Sequence, residues 1–553
     1  MTWRAAIAGI LVSLTAHTAP QVDWLFPMGA QRGTEALAQI GGKHSWPLKA
    51  WTDDPGIAIT ADANKTGHFK IKIAKGVVPG PHLIRFHDAN GTTPPRVFFV
   101  GKATDVREKE PNNQFLDAQK IDALPAILHG KLQTGGDVDA YRVSLKAGQV
   151  FVASLEAYTA GVPMDALMML RDSRGVKLAF NHDAHSLDPR LHWKCDRDGE
   201  YVLQVAAFKF PANSTSSFTG GANLVYRLTL TNGPWLRHAW PAAVNGGTKS
   251  RVGLVGWNLK NDSVTAPITK DGELVLPVTA VNGPLRLPVL PRAEVTEREP
   301  NDTNATANEF GLPMSVSARI DRPGDVDRFA FTAKKGERCR IDLDSFSLGF
   351  ILDAHLAIED AAGKQLTTND DANKQRDPLL NWTAPADGRY CVKVRSLLGK
   401  GGADFFYRLQ LSRPAPSFHA TVPAPQFTLN AGATNEVKVT VNYRDSYKGK
   451  LIVRTEGLPK GVTTAPVEIE KQGTATLKLI AAKDAQPQAG PLRVIVGPMG
   501  KSAKAATTSL TSAGTANGVP QGFPDYIIRE TPHLWLTVLP PKPPEKKPAA
   551  KKN

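Results

Sequence analysis

The sequence predicts an all-β protein of tandem β-sandwiches, and three observations carry that prediction. Segments alternate apolar and polar side chains with the two-residue period of a half-buried strand, as at Tyr141, Val143 and Leu145. Turn-forming residues punctuate these segments at hairpin-like spacing, with 47 Gly and 42 Pro spread along 553 residues. No long helical period intervenes. A chain of this length needs several cores, and 41% hydrophobic with 22% charged residues fits soluble globular domains rather than a disordered chain.

A duplication organises the chain. VREKEPNNQF at 106–115 returns as VTEREPNDTN at 295–304, and GGDVDAYRV at 135–143 returns as PGDVDRFAF at 323–331. MDALMMLRDSRG (164–175) pairs with LDAHLAIEDAAG (352–363), and DGEYVLQV (198–205) with DGRYCVKV (387–394). The offset stays at 188–189 residues, too regular for chance. Each copy, over 105–231 and 294–413, is expected to be an antiparallel β-sandwich of jelly-roll kind. The segments 20–104 and 232–293 are β-rich and loosely alike, and 414–539 is a further β module with strands near 436–442, 450–456 and 475–481. All three are expected to be Ig-like, so that the jelly-roll domains alternate with them. The tail 540–553 is rich in Pro and Lys and expected to be extended and disordered.

The N-terminus has the pattern of an export signal. Arg4 precedes the apolar stretch 5–15, which is too short to span a bilayer, and small residues follow near 16–19. A signal over 1–19 places the mature protein outside the cytoplasm: periplasmic, at the cell surface or secreted. The alternative is a buried N-terminal strand or helix. No later segment reaches membrane-spanning length. Of three cysteines, only Cys339 and Cys391 make an attractive pair for an oxidising compartment. Strand parity argues against it, because Cys339 runs in phase with Ile341 and Leu343 while Cys391 runs out of phase with Tyr390, Val392 and Val394. Three free thiols are expected.

The formal charge of +15 sits partly in the tail, at Lys542, Lys546, Lys547, Lys551 and Lys552. No basic run is interleaved with aromatics, so no nucleic-acid partner is expected. A diffuse positive field favours polyanions, membrane surfaces or acidic glycans, and a basic surface kept for solubility is the plainer reading.

The repeated unit resembles the bacterial pre-peptidase C-terminal (PPC) domain through its E-x-E-P-N-N/D opening, its G-D-x-D-x-[YF] strand and its closing D-G-x-Y-x-[LV]-x-V. The module beginning PMGAQRG resembles the IPT/TIG type of Ig-like domain, as arranged in large exported proteins of planctomycete-type bacteria. The 414–539 module resembles Ig-like domains with a GLPKGV turn, here at 457–462. The PPC resemblance implies an accessory, adhesive or targeting role: the domain usually accompanies secreted proteases without being catalytic, and collagenase members bind their polymer through it and hold calcium at its N-terminal linker.

A chemical argument stands beside the resemblance. In an extended segment, residues i, i+2 and i+4 share a side, and Pro111 and Pro300 bias the preceding glutamates toward extended geometry. Glu108, Glu110 and Asn112 then present three oxygens together, as do Glu297, Glu299 and Asn301. Asp137 and Asp139 share a strand face, as do Asp325 and Asp327. Combined, each copy has five oxygen-bearing side chains, which suits calcium with its roughly 6–8 oxygen ligands. Alternatively, the aspartates bond backbone amides at turns and the glutamates pair with Arg107, Lys109 and Arg298. A second acidic loop, 181–188 and 369–377, contains His182, Asp183 and His185, but the second copy has Asp370 and Asn373 for the histidines. Asx-turns explain it better than a metal. Asp165 and Asp353 are expected to hold neighbouring loops, and Trp193 and Trp382 to be core residues rather than carbohydrate platforms.

No zincin, nucleophile-elbow, P-loop or dinucleotide motif occurs, and none of the 13 histidines sits in a recognisable constellation. Five modules fill the exported chain. The expectation is therefore a non-catalytic protein that binds an extracellular polymer or envelope partner through calcium-stabilised domains. An envelope structural or assembly protein, or a hydrolase with a site on the loops of one module, are the alternatives.

Overall fold

The computed structural model describes residues 18–184, 186–208, 217–269, 272–292, 294–372, 375–500, 503–511 and 526–542. The expected export signal (all but Thr18 and Ala19), His185, Asn373 and the tail beyond 542 lie outside them. The described chain is all-β, as predicted, interrupted only by the 3₁₀ turns Tyr158–Ala160 and Phe346–Leu348. None of its helices is long and apolar enough to cross a membrane.

The duplicated segments adopt the same topology. In the first, one five-stranded sheet runs Thr104–Arg107, Ala126–Lys131, Val225–Thr231, Val150–Glu156, Arg190–Lys194. The other runs Gln119–Lys120, Asp139–Leu145, Gly199–Phe208, Asp165–Asp172, Lys177–Asn181. The second copy repeats both orders strand for strand, from Val295–Thr296 to Leu379–Thr383 and from Asn308–Glu309 to Gln365–Asn369. Alternation decides what each core contains. Tyr141, Val143 and Leu145 point inward against Phe151, Leu228 and Leu230, and Phe329 and Phe331 do so against Ile341 and Leu409. Each such side chain contributes about 2 kcal/mol by leaving water.

Pairing departs from the expected antiparallel pattern at two places in each copy, one in each sheet. Thr104–Arg107 pairs in parallel with Ala126–Lys131, and Gln119–Lys120 with Asp139–Leu145; the second copy does the same. The cause is a crossover. The chain leaves the first sheet at Arg107, lays a short strand on the other at Gln119, and returns to the first at Ala126. Parallel neighbours require such a detour, and its outward leg, 108–118, passes close to the start of Asp139–Leu145.

The closing D-G-x-Y motif has a structural role. The Tyr201 hydroxyl donates to the Arg197 carbonyl at 2.7 Å and that of Tyr390 to the Ala386 carbonyl at 2.7 Å. Asp198 and Asp387 accept the amides of Ala147 and Lys335 across the neighbouring turn. In the second acidic loop, Asp188 accepts the amides of Ala157, Tyr158 and Thr159, and Asp377 those of Ser345, Phe346 and Ser347. These carboxylates hold the 3₁₀ turns, which close on left-handed Gly161 and Gly349 (φ +87° and +89°). Trp193 packs on Tyr201 and Trp382 on Tyr390 at the core margins. The three cysteines are buried and unpaired; Cys339 lies in the second core while Cys391 faces away from it.

Residues 20–104 form a four- and a five-stranded sheet around Phe69, Phe86 and Phe98, and 235–290 form two three-stranded sheets. In the C-terminal segment, Thr434–Arg444, Leu451–Glu456 and Gly473–Ala481 contain the three expected strands. The first and last segments meet. Arg85, wholly buried, donates to the carbonyls of Thr93, Pro425 and His533, and Trp535 packs edge-on against Trp51. Burial lowers the Arg85 guanidinium to about 10, which still leaves it charged at neutral pH. Arg85→Met removes the donor for two carbonyls of the C-terminal segment, and urea unfolding is expected to show a loss on the order of 2 kcal/mol.

Candidate metal centres

In the first sandwich, the crossover brings the segment 108–112 against the turn that begins Asp139–Leu145. Asn112 is pinned there by its own carbonyl, which accepts the Ala140 amide at 3.0 Å. One carboxylate oxygen from each of Glu110, Asp137 and Asp139 comes within 4.8 Å of the others. Glu108 joins from the adjacent strand edge, one oxygen accepting the Lys131 amide at 2.6 Å. Asp137 is held by the Gln133 amide at 2.5 Å and by Asn113 Nδ2 at 2.7 Å. Asp139 accepts the Tyr226 hydroxyl. Its other oxygen, and both side-chain polar atoms of Asn112, are buried without a hydrogen-bond partner.

The second sandwich builds the same arrangement. Oxygens of Glu297, Glu299 and Asp327 lie within 4.8 Å of one another, as do those of Glu299, Asp302 and Asp325. Glu297 accepts the Arg319 amide at 2.6 Å, Asp325 the Asp321 amide at 2.6 Å and Asp327 the Tyr407 hydroxyl at 2.5 Å. One oxygen on each of Asn301, Asp325 and Asp327 lacks a hydrogen-bond donor. Asp302 stands where the first copy has Asn113. It cannot donate to the neighbouring aspartate, and Arg322, 3.2 Å from Asp302 and 3.6 Å from Asp325, offsets the extra charge.

These carboxyls are electrostatically frustrated. Burial, then the charge of Glu108, pushes Asp139 up to about 9, and burial with its acidic neighbours raises Glu108 to about 7. Burial likewise raises Glu297 to about 8, and burial followed by the charge of Glu297 raises Asp327 well above its ordinary value. Deep orphan oxygens beside mutually repelling carboxylates are a donor set for a hard divalent cation. The residues fit calcium: oxygen donors only, with Glu110 and Glu299 exposed at the mouth and Asp139 and Asp327 fully buried at the base.

Seven of the ten residues predicted from sequence share the two carboxylate clusters, Glu110, Asp137 and Asp139 in one and Glu297, Glu299, Asp325 and Asp327 in the other, but not by the expected geometry. Residues 108–112 are not a strand; regular structure ends at Arg107, and the Glu110–Pro111 and Glu299–Pro300 peptides are cis. Asp137 and Asp325 lie in turns just before the strands carrying Asp139 and Asp327, so shared strand faces do not describe them. Tyr226, Tyr407 and Asp302 escaped sequence reasoning. The tyrosines were detectable as the repeated Tyr-Arg-Leu of 226–228 and 407–409, shifted out of the constant offset by the differing loops before them. In the second acidic loop, His182 pairs with Asp183 at 2.8 Å.

Three likenesses to known proteins accompany this geometry. The chain is 40% identical over 111 residues to a probable subtilase-type serine protease of Deinococcus radiodurans, a match covering 19% of this chain and 15% of that protein. Among solved structures, the pre-peptidase C-terminal domain of a Bacillus anthracis collagenase matches over its whole length and 21% of this chain, at 15% identity and a TM-score of 0.17. An ICAM-5 D1–D4 ectodomain fragment matches over 87% of this chain and 98% of its own, at 13% identity and a TM-score of 0.11. Residues 325–396, which contain Asp325, Asp327 and part of the core of the second sandwich, match the family described as the bacterial pre-peptidase C-terminal domain.

Proposed function

We propose that this is an exported, non-catalytic binding protein in which both sandwiches are PPC-like domains, each holding one calcium ion, flanked by Ig-like modules, and that it engages an extracellular polymer or envelope partner. The observation that carries the calcium reading is the pair of buried orphan oxygens, on Asp139 and Asp327, aimed into equivalent carboxylate clusters. Calcium bound there ties the segment leading into each sandwich (Glu110, Asn112; Glu299, Asn301) to the first long strand of the opposite sheet. It would set the direction in which the preceding module leaves. The family match over 325–396 supports the accessory, binding character.

Isothermal titration of chelator-stripped mature protein is expected to find about two calcium sites per chain, with Asp139→Asn and Asp327→Asn each removing one. A ligand that binds only the folded state stabilises it by about 2.7 kcal/mol at a hundredfold excess over Kd, so calcium should raise the Tm. Absence of both heat and thermal shift would sink the assignment. Retention on insoluble polymers such as murein sacculi or fibrous collagen, present with calcium and lost with chelator, tests the binding role.

The raised carboxyls also set a pH dependence. Their folded-state affinity for protons exceeds the unfolded one, so the chelated protein takes up protons on folding and its stability falls as pH rises. The window runs from the ordinary carboxyl range near about 4 to the value of about 9 for Asp139. Calcium displaces those protons. Melting curves from pH 5 to pH 9 (about the span just given) should therefore slope downward in chelator and flatten or reverse in calcium.

A further inference from the structure

A cleft of about 570 Å³ is lined by none of the residues of the two carboxylate clusters and falls within the size range of small-ligand sites. Four parts of the chain line it: Phe99 from the N-terminal segment, Arg190 and Arg227 from the first sandwich, Trp235 from the segment after it, and Ile351 from the second sandwich. Its charges are not balanced alike. Arg227 is paired with Glu156 at 2.8 Å, and Arg237 is paired with Asp404. The Arg190 guanidinium has no hydrogen bond or ion pair with any described residue, and its Nε is sealed from solvent. Arg227 Nε and Trp235 Nε1 are likewise buried donors without acceptors, on residues 8% and 4% exposed.

An Arg190 guanidinium without an ion pair, in a cleft that also contains two idle donors on Arg227 and Trp235, suits an anion with more than one acceptor atom, which a carboxylate supplies through the guanidinium fork. The rim has the opposite character. Phe180, Leu348 and Ile351 line the cleft and are 44%, 39% and 50% exposed, so apolar side chains from both sandwiches ring its opening. A ligand matched to both features has a carboxylate at one end and apolar groups next to it.

From this we infer that the cleft captures the free C-terminal carboxylate of a polypeptide with apolar terminal residues, Arg190 holding the carboxylate and Phe180, Leu348 and Ile351 covering the side chains. This deepens the proposed binding role by assigning a ligand class at a site that uses none of the calcium ligands.

The test uses the full mature chain, its tryptophan fluorescence, and a peptide ending Leu-Phe as the free acid, the same peptide as its C-terminal amide, and 4-phenylbutyrate. The inference expects saturable binding of the acid, at least tenfold weaker binding of the amide, and at least tenfold weaker acid binding by Arg190→Gln. In that variant, calcium stoichiometry should be unchanged, so loss of the cleft is distinguishable from failure of the calcium reading. Phenylbutyrate binding as tightly as the peptide acid would support the carboxylate site with a free acid as its source. Equal binding of acid and amide, no saturable binding of any probe, or full retention by Arg190→Gln would overturn it. Should Arg190→Gln fail to fold, the acid-against-amide comparison on the unaltered protein decides alone.

Discussion

Like-charge repulsion at the N-terminal edge of each sandwich is the constraint around which the rest is arranged. Glu108, Glu110, Asp137 and Asp139 cannot all be ionised at their observed spacing without a counter-charge, and among the described residues none of them forms an ion pair, the charge of Lys131 acting on Glu108 from a distance. Two outcomes relieve the repulsion: protons on the deepest carboxyls or a cation among them. Hydrogen bonds from backbone amides, amide side chains and a buried tyrosine hydroxyl fix these carboxylates in place. At the base, Asp139 keeps one buried oxygen without a hydrogen-bond partner, beside the equally unpartnered side chain of Asn112. One oxygen fixed by the protein and one left over is the division expected of a residue that orients toward a ligand.

The two copies solve the problem differently at one position. Replacing Asn113 by Asp302 adds a carboxylate and removes a donor, while Arg322, where the first copy has Thr134, adds a cation that pairs with it. The paired tyrosines of the first copy, Tyr141 and Tyr226, at 2.5 Å, are also reduced to Tyr407 alone because Phe329 occupies the equivalent place. The second cluster thus contains more charge and more compensation, so the two sites are not expected to be equal in affinity although their strand frames coincide.

Much of this was legible in the sequence because it is periodic or repeated. The core faces of Asp139–Leu145 and Val326–Ala333 follow directly from alternation, and the ten acidic and amide residues stood out because they recur at a fixed offset. The route by which they meet was not legible. Sequence spacing predicts an extended run through Glu108, Glu110 and Asn112, whereas a crossover loop with a cis proline peptide carries them, and no local pattern announces a parallel pair of two residues. Contacts between distant segments were invisible for the same reason. Arg85 reads as one more strand arginine until the carbonyls of Pro425 and His533 arrive beside it, and Arg190 becomes notable only when four parts of the chain line one cleft with it and its Nε is left, among the described residues, without an acceptor.

The most direct test of the cation account is a crystal structure of the chain grown in calcium, with anomalous differences collected at long wavelength. The account predicts two peaks, one in each sandwich, bounded by Glu110, Asn112 and Asp139 and by Glu299, Asn301 and Asp327, with oxygen distances of about 2.3–2.6 Å. Clusters closed instead by short carboxyl–carboxylate hydrogen bonds, with no anomalous peak in saturating calcium, would contradict it.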